Sequence, residues 1–160
     1  MVRIIFFIFF ICLLFSYKIK SQWQNLEIKN INGEIVSLKN ILREDKTIIL
    51  SFFATWCSPC IKELNTLNEV YEKWKEDYNV DIIAISIDDS KSVSRVKPLV
   101  KTKGWTFPVY LDINSDVKRA FNVINLPHII ILKKGKIVYQ HTTYYEGFED
   151  FLLEKIREEK

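Results

Sequence analysis

Glycine and proline are scarce in these 160 residues, four of each. That scarcity excludes collagen-like, low-complexity and disordered chains, whose compositions lean on both. Cysteine is also rare. Three residues are too few to staple a disulfide-built mini-protein, and the odd count leaves one thiol unpartnered or removed. No charge of one sign dominates: 23 basic residues face 20 acidic ones, for a net charge of +3. No Lys/Arg cluster marks a nucleic-acid surface, so nucleic acid is not an expected partner. No repeat, Pro/Ser-rich linker or charge block divides the chain, and its length suits one domain. No apolar run reaches the about 20 residues that a spanning helix usually needs.

The longest such run is Ile4 to Phe15, 12 residues preceded by Arg3 and followed by Ser-Tyr-Lys-Ile-Lys-Ser-Gln. A basic start, a short apolar stretch and small or polar residues beyond it read as a secretory leader over residues 1–21. Cleavage after Ser16 or Ser21 is expected, with an uncleaved membrane anchor as the alternative. The leader holds Arg3, Lys18, Lys20 and Cys12 and no acid, so residues 22–160 carry 20 basic and 20 acidic residues and two cysteines. Membrane contact is expected only if the leader is retained.

Residues 22–160 read as one α/β domain. Two alternating segments, Trp23 to Ile28 and Glu34 to Leu38, flank Asn32-Gly33, a strong hairpin signal. Thr47 to Phe53 and Val80 to Ile87 are nearly all apolar, as strands covered on both faces are. Between them Ile61, Leu64, Leu67, Tyr71, Trp74 and Tyr78 recur at helical spacing, which predicts one amphipathic helix over Ser58 to Tyr78. A second helix is expected over Ser90 to Lys103, bent or divided at Pro98 and closed by Gly104. A short strand at Val109–Leu111 follows, then a helix from Ser115 to Phe121 capped by Ser115 or Asn114. Strands at His128–Leu132 and Ile137–Gln140 and a helix over Glu146 to Arg157 close the chain. Apolar strands alternating with helices imply a parallel core sheet covered on both faces, with an antiparallel edge from the final β-β-α unit.

Thr55-Trp56-Cys57-Ser58-Pro59-Cys60 falls where the first central strand meets the long helix. With Cys57 as N-cap, Ser58, Pro59 and Cys60 become the first helical residues, a position that tolerates proline. Pro59 has no N–H, so the N–H of Cys60 is the cap donor left for the Cys57 sulfur. The partial positive charge of the helix start also favours a thiolate. Such sites lower a cysteine pKa from about 8.5 to roughly 3.5–7.5. Cys57 is therefore the expected attacking thiol, and Cys60 the one that resolves the mixed disulfide. A zinc site would need more ligands than this pair and the distant His128 and His141 provide. A structural disulfide closing a two-residue loop would constrain little chain entropy.

The segment FFATWCSPCIKEL resembles the active site of thioredoxin-like thiol–disulfide oxidoreductases of the TlpA/ResA type. The resemblance extends over NINGEIVSL, VDIIAISIDDS, GWTFPVYLD and VINLPHIIILKKGKIV, nearly all of residues 22–160. It implies a thioredoxin-like three-layer α/β/α sandwich with an N-terminal β-hairpin and an inserted helix and strand before a cis-proline. That proline falls on Pro127. Leu126 before it becomes a substrate-binding candidate through its backbone, and Trp56 another, although Trp56 is expected chiefly as apolar packing beside the cysteines. Many relatives have Thr where this chain has His128, which is read as a strand-start residue. Glu63 matches a family acid that could accept the Cys60 proton or raise the thiol pKa, with a solvated surface glutamate as the alternative. Asp88 and Asp89 are weaker matches to another acid near the site.

The resemblance implies an exported monomer that exchanges two electrons with protein disulfides or dithiols. It would work as a reductant, in cytochrome c maturation among other settings, and be recharged by a membrane thiol carrier. No cofactor beyond the Cys57–Cys60 redox disulfide, and no metal, is expected. Two other readings stay open. A peroxiredoxin-like peroxidase would need a Thr/Arg-supported pocket, and Thr55 is the nearest upstream threonine. A copper-binding module would use Cys57, Cys60 and His128.

Overall fold

The computed structural model describes Trp23 and residues 25–158, so the expected leader lies outside the described residues. Seven strands form one mixed sheet in the order β2-β1-β5-β4-β3-β6-β7. They are β1 Glu27–Asn30, β2 Ile35–Ser37, β3 Thr47–Phe53, β4 Val80–Ser86, β5 Val109–Leu111, β6 His128–Lys133 and β7 Lys136–His141. Among the described residues five α-helices accompany them: α1 Leu38–Ile41, α2 Ser58–Tyr78, α3 Val96–Lys103, α4 Asp116–Ala120 and α5 Phe148–Glu158.

β3 lies at the centre, parallel to β4 from Thr47↔Val80 to Phe53↔Ser86 and antiparallel to β6 from Thr47↔Lys133 to Phe52↔His128. Alternation along β3 divides the core into two layers. Ile49 and Phe53 join Leu64, Leu67, Tyr71 and Trp74 of α2, Val96 and Val100 of α3, and Phe148, Leu152 and Ile156 of α5. Ile48, Leu50 and Phe52 meet Leu38 of α1, Val117 of α4, and Trp23, Phe121 and Val123. The α/β/α sandwich follows from this division of each strand between two helical layers.

Three local expectations are corrected. The hairpin strands are shorter than Trp23–Ile28 and Glu34–Leu38, because their outer residues serve the core. Trp23 stacks on Phe121 at 5.6 Å, and Leu38 begins the helical turn α1. The turn itself is fastened by Asn30, whose Oδ1 accepts the N–H groups of Asn32 and Glu34 at 2.9 and 3.0 Å. Pro98 neither bends nor divides a helix from Ser90. The chain makes a 3₁₀ turn at Val93–Arg95 and α3 starts at Val96, which places Pro98 in the first helical turn, where its missing N–H costs nothing. Ser115 does precede α4, but its side chain caps nothing. Asp112 takes that role, accepting from the N–H groups of Val117 at 3.2 Å and Lys118 at 2.7 Å. The β6–β7 turn uses Lys134 and Gly135, both with positive φ (50° and 69°), the pairing that a two-residue turn between twisted strands requires.

Candidate active site

β3 delivers the chain to the rim of the sheet at Phe53, and Ala54 to Trp56 turn it into α2. The Cys57 N–H closes that turn on the Ala54 carbonyl at 3.0 Å. Cys57 is the N-cap of α2, Pro59 lies in its first turn, and Cys57 and Cys60 are joined in a disulfide with their Cα atoms 5.3 Å apart. Both cysteines are buried but not equally: Cys57 is 6% exposed and Cys60 is 0% exposed. The expected bond from the Cys60 N–H to the Cys57 sulfur is not made in this oxidised form. A sulfur bonded to another sulfur carries no charge and accepts weakly, so the disulfide offers that N–H little to bind.

Asp88 holds the turn from the side. Its carboxylate, fully buried just beyond β4, accepts the Thr55 N–H at 2.8 Å, the Thr55 hydroxyl at 2.7 Å and the Ser86 hydroxyl at 2.8 Å. Asp89 turns outward, and its Oδ1 accepts the Lys91 N–H, the Ser92 N–H and the Ser92 hydroxyl. These bonds hold its carboxyl below the usual range. Of the two acids singled out in the sequence, one is thus a buried clamp on the redox turn and the other starts the 3₁₀ turn.

Glu63 is not a solvated surface residue. Projecting from α2 onto the sheet, it is buried, and its Oε1 accepts the hydroxyl of Ser51 on β3 at 2.8 Å. Burial pushes its pKa up to about 8, with the Ser51 bond pulling weakly the other way. Glu63 thus carries its proton at neutral pH. The unfolded chain releases that proton near 4.5 and the folded chain near 8, so between these values the folded state binds more protons. Stability is full below about 4.5, falls as pH rises through this window, and levels off above about 8. Glu63→Gln is therefore expected to gain on the wild type as pH rises from 5 to 8, measured by urea unfolding at both. A constant difference between the two proteins would refute the assignment. The comparison also cancels His128, whose pKa burial lowers and whose contribution runs in the opposite direction.

Across from the disulfide, the Leu126–Pro127 peptide bond is cis. The Phe52↔His128 register sets this segment beside the end of β3 and the redox turn. Leu126 is half-buried and packs against both core layers. Among the described residues, neither its N–H nor its carbonyl has a hydrogen-bond partner. His128 is buried, its ring edge-on to Phe52 at 6.3 Å, and its Nε2 is 3.2 Å from Gln140 Oε1.

Trp56 departs from expectation. At 64% exposed it is not packing for the cysteines but stands out beside them. Ile124, 82% exposed, is a second large apolar side chain left in solvent just ahead of the cis bond. Sequence reading missed it, although an isoleucine between Asn122 and Asn125 in a loop was the available signal. A cavity of about 430 Å³ opens on the Ser58–Pro59 side, walled by Lys62, Tyr144, Tyr145 and Glu146. Tyr144 is tied to Thr66 of α2 by a 3.0 Å hydroxyl pair. Among the described residues, no group of three or more His, Cys, Asp or Glu side chains is placed to hold a metal ion.

Comparison with known proteins accords with this geometry. Residues 19–140 match the family model described as the AhpC/TSA family. The chain is 34% identical over 124 residues to the thiol–disulfide oxidoreductase ResA of Bacillus thuringiensis, covering 77% of this chain and 69% of that protein. The solution structure of a thioredoxin-like protein from Porphyromonas gingivalis superposes with a TM-score of 0.74 at 44% identity, covering 86% of this chain and 91% of that one. An exposed lipoprotein thioredoxin from Streptococcus pneumoniae superposes with a TM-score of 0.68 at 25% identity, covering 83% and 98%.

Proposed function

The chain belongs to the AhpC/TSA family and is a ResA-type thiol–disulfide oxidoreductase of thioredoxin fold; on that premise we propose that it works outside the cytoplasm as a monomeric reductant of protein disulfides. The observation that carries this reading is the asymmetry of the Cys57–Cys60 pair, one residue slightly exposed at the helix start and one fully buried, opposite a Leu126 backbone with no hydrogen-bond partner among the described residues. An extended stretch of partner chain fits such a segment, because its own N–H and carbonyl supply the missing bonds.

In the reduced protein the Cys57 thiolate attacks one sulfur of the partner disulfide. The partner bond breaks, a Cys57–partner disulfide forms, and the other partner sulfur leaves as a thiolate that takes up a proton. Cys60 then gives its proton to the ionised fraction of Glu63, a minority at pH 7 that grows as pH rises toward 8, and attacks the Cys57 sulfur. The Cys57–Cys60 bond forms and the second partner thiolate leaves. Two electrons have passed to the partner, and a dithiol donor must restore the pair; a membrane thiol carrier suits a protein exported by the leader. A carboxyl with a pKa of about 8 is matched to this transfer, since it lies close to the ordinary value of a thiol. Trp56, Leu126 and Pro127 form the partner-facing surface. Maturation of c-type cytochromes, where cysteines must be kept reduced, is one setting for such an activity.

A peroxidase would need the Thr55 hydroxyl at the reacting cysteine, but it is committed to Asp88. The test uses the full chain, reduced and freed of reductant, and mixed with insulin. One insulin disulfide is expected to open for each Cys57–Cys60 pair that closes, counted by alkylation and mass. Peroxide consumption without insulin reduction would overturn the reading.

A further inference from the structure

Beside Trp56 lies a cleft of about 420 Å³ that shares no lining residue with the cavity at Tyr144. Its apolar part is Trp56 and Ile87, and its rim carries Lys91, Arg95 and Lys118. These three come from different parts of the fold. Lys91 and Arg95 lie in the connection from β4 to α3, and Lys118 lies on α4 beneath the opposite face of the sheet. None of their side chains makes an ion pair or hydrogen bond among the described residues. Their neighbours differ: Arg119 is paired with Asp116, and Lys97 donates to Asn32. The cleft has one acid, Asp89, with its Oδ1 folded back onto the Lys91–Ser92 backbone and the Ser92 hydroxyl. Counting that charge, the rim keeps an excess of two positive charges. Residues 22–160 hold equal numbers of basic and acidic side chains, so this excess is local to the cleft.

We propose that this cleft selects partners bearing carboxylates next to the cysteine that Cys57 attacks: an acidic protein segment laid over Trp56 with its side chains among Lys91, Arg95 and Lys118. The inference rests on the reading of Cys57 as the exchanging thiol and adds to it the class of partner. Unpaired cations around an apolar floor steer an opposite charge to the site and fix its register, an effect that salt weakens.

The test uses two synthetic peptides, each with one internal disulfide, identical except for four Glu or four Lys residues beside one cysteine. Rates of reduction by the reduced full chain are divided by the rates with dithiothreitol, which removes the effect of the flanks on the disulfide itself. The wild type is expected to favour the Glu peptide roughly tenfold at low salt, a preference that shrinks in about 0.5 M salt. Lys91→Gln/Arg95→Gln/Lys118→Gln is expected to bring the ratio near one, and the corresponding Glu replacements to invert it. Lys97→Gln, outside the cleft, keeps the wild-type ratio. Equal wild-type rates, or a preference that survives the triple Gln variant, would overturn the inference while leaving the exchange reading intact. Failure to reduce either peptide would instead overturn the exchange reading, and this inference with it.

Discussion

Cys57→Ala is expected to bring insulin-disulfide reduction down to the uncatalysed background, while Cys60→Ala stops at the mixed disulfide and accumulates it. The two outcomes differ because the two sulfurs differ in position. Cys57 keeps a slight exposure, 6% against 0% for Cys60, and it sits at the helix start, where the thiolate is favoured. Removing it removes the nucleophile, and Cys60, fully buried, cannot replace it. Removing Cys60 leaves the attack intact but takes away the thiol that releases the partner. A non-reducing gel of the Cys60→Ala protein mixed with insulin should show a covalent adduct that dithiothreitol dissolves and that the Cys57→Ala/Cys60→Ala protein does not form. Far-ultraviolet circular dichroism checks that both variants fold. Full activity in Cys57→Ala would refute the assignment of roles, and so would an adduct formed through Cys60.

The second large effect lies away from the sulfurs. Asp88→Ala is expected to cost about 3 kcal/mol of folding stability, because it leaves the Thr55 N–H, the Thr55 hydroxyl and the buried Ser86 hydroxyl without an acceptor, each worth about 1 kcal/mol or more. Asp88→Asn keeps the shape and one acceptor oxygen, so it should cost less. Urea unfolding measures the loss. The fluorescence of Trp56, next to Thr55, reports whether the redox turn has moved. An Ala variant within about 0.5 kcal/mol of the wild type, the range of an ordinary surface change, would show that the clamp contributes little.

The features legible in the sequence were those with a repeating pattern or a fixed chemistry. Helical spacing located α2 to the residue, and nearly all-apolar runs located β3 and β4. The cysteine motif marked the strand–helix junction before any coordinates. What the sequence hid depends on partners far along the chain. α1 has four residues, too few to show a period. Asp112 replaced the nearby Ser115 as the cap of α4 because the backbone folds back toward it, a matter of tertiary placement. Glu63 is legible as an acid near the cysteines, with a solvated position as the alternative, but its full burial is not, because carboxylates mostly face water. Its burial depends on Ser51, twelve residues upstream on the central strand. Ser51 was the available clue: a lone hydroxyl inside TIILSFF needs a buried partner. Trp56 lies in a turn, where no periodicity tells an inward ring from an outward one.

Just ahead of β6, Leu126 leaves its backbone N–H and carbonyl without hydrogen-bond partners among the described residues, and that gap bears on evolution. If a partner docks there as proposed, it does so through peptide backbone, which every protein has, so the docking places almost no demand on the sequence of a client. Chemistry and docking are thus common property, and discrimination falls to the surrounding loops. Substitutions there can recruit or dismiss whole groups of clients while the cysteines, the cis-proline and the acid beneath them stay unchanged.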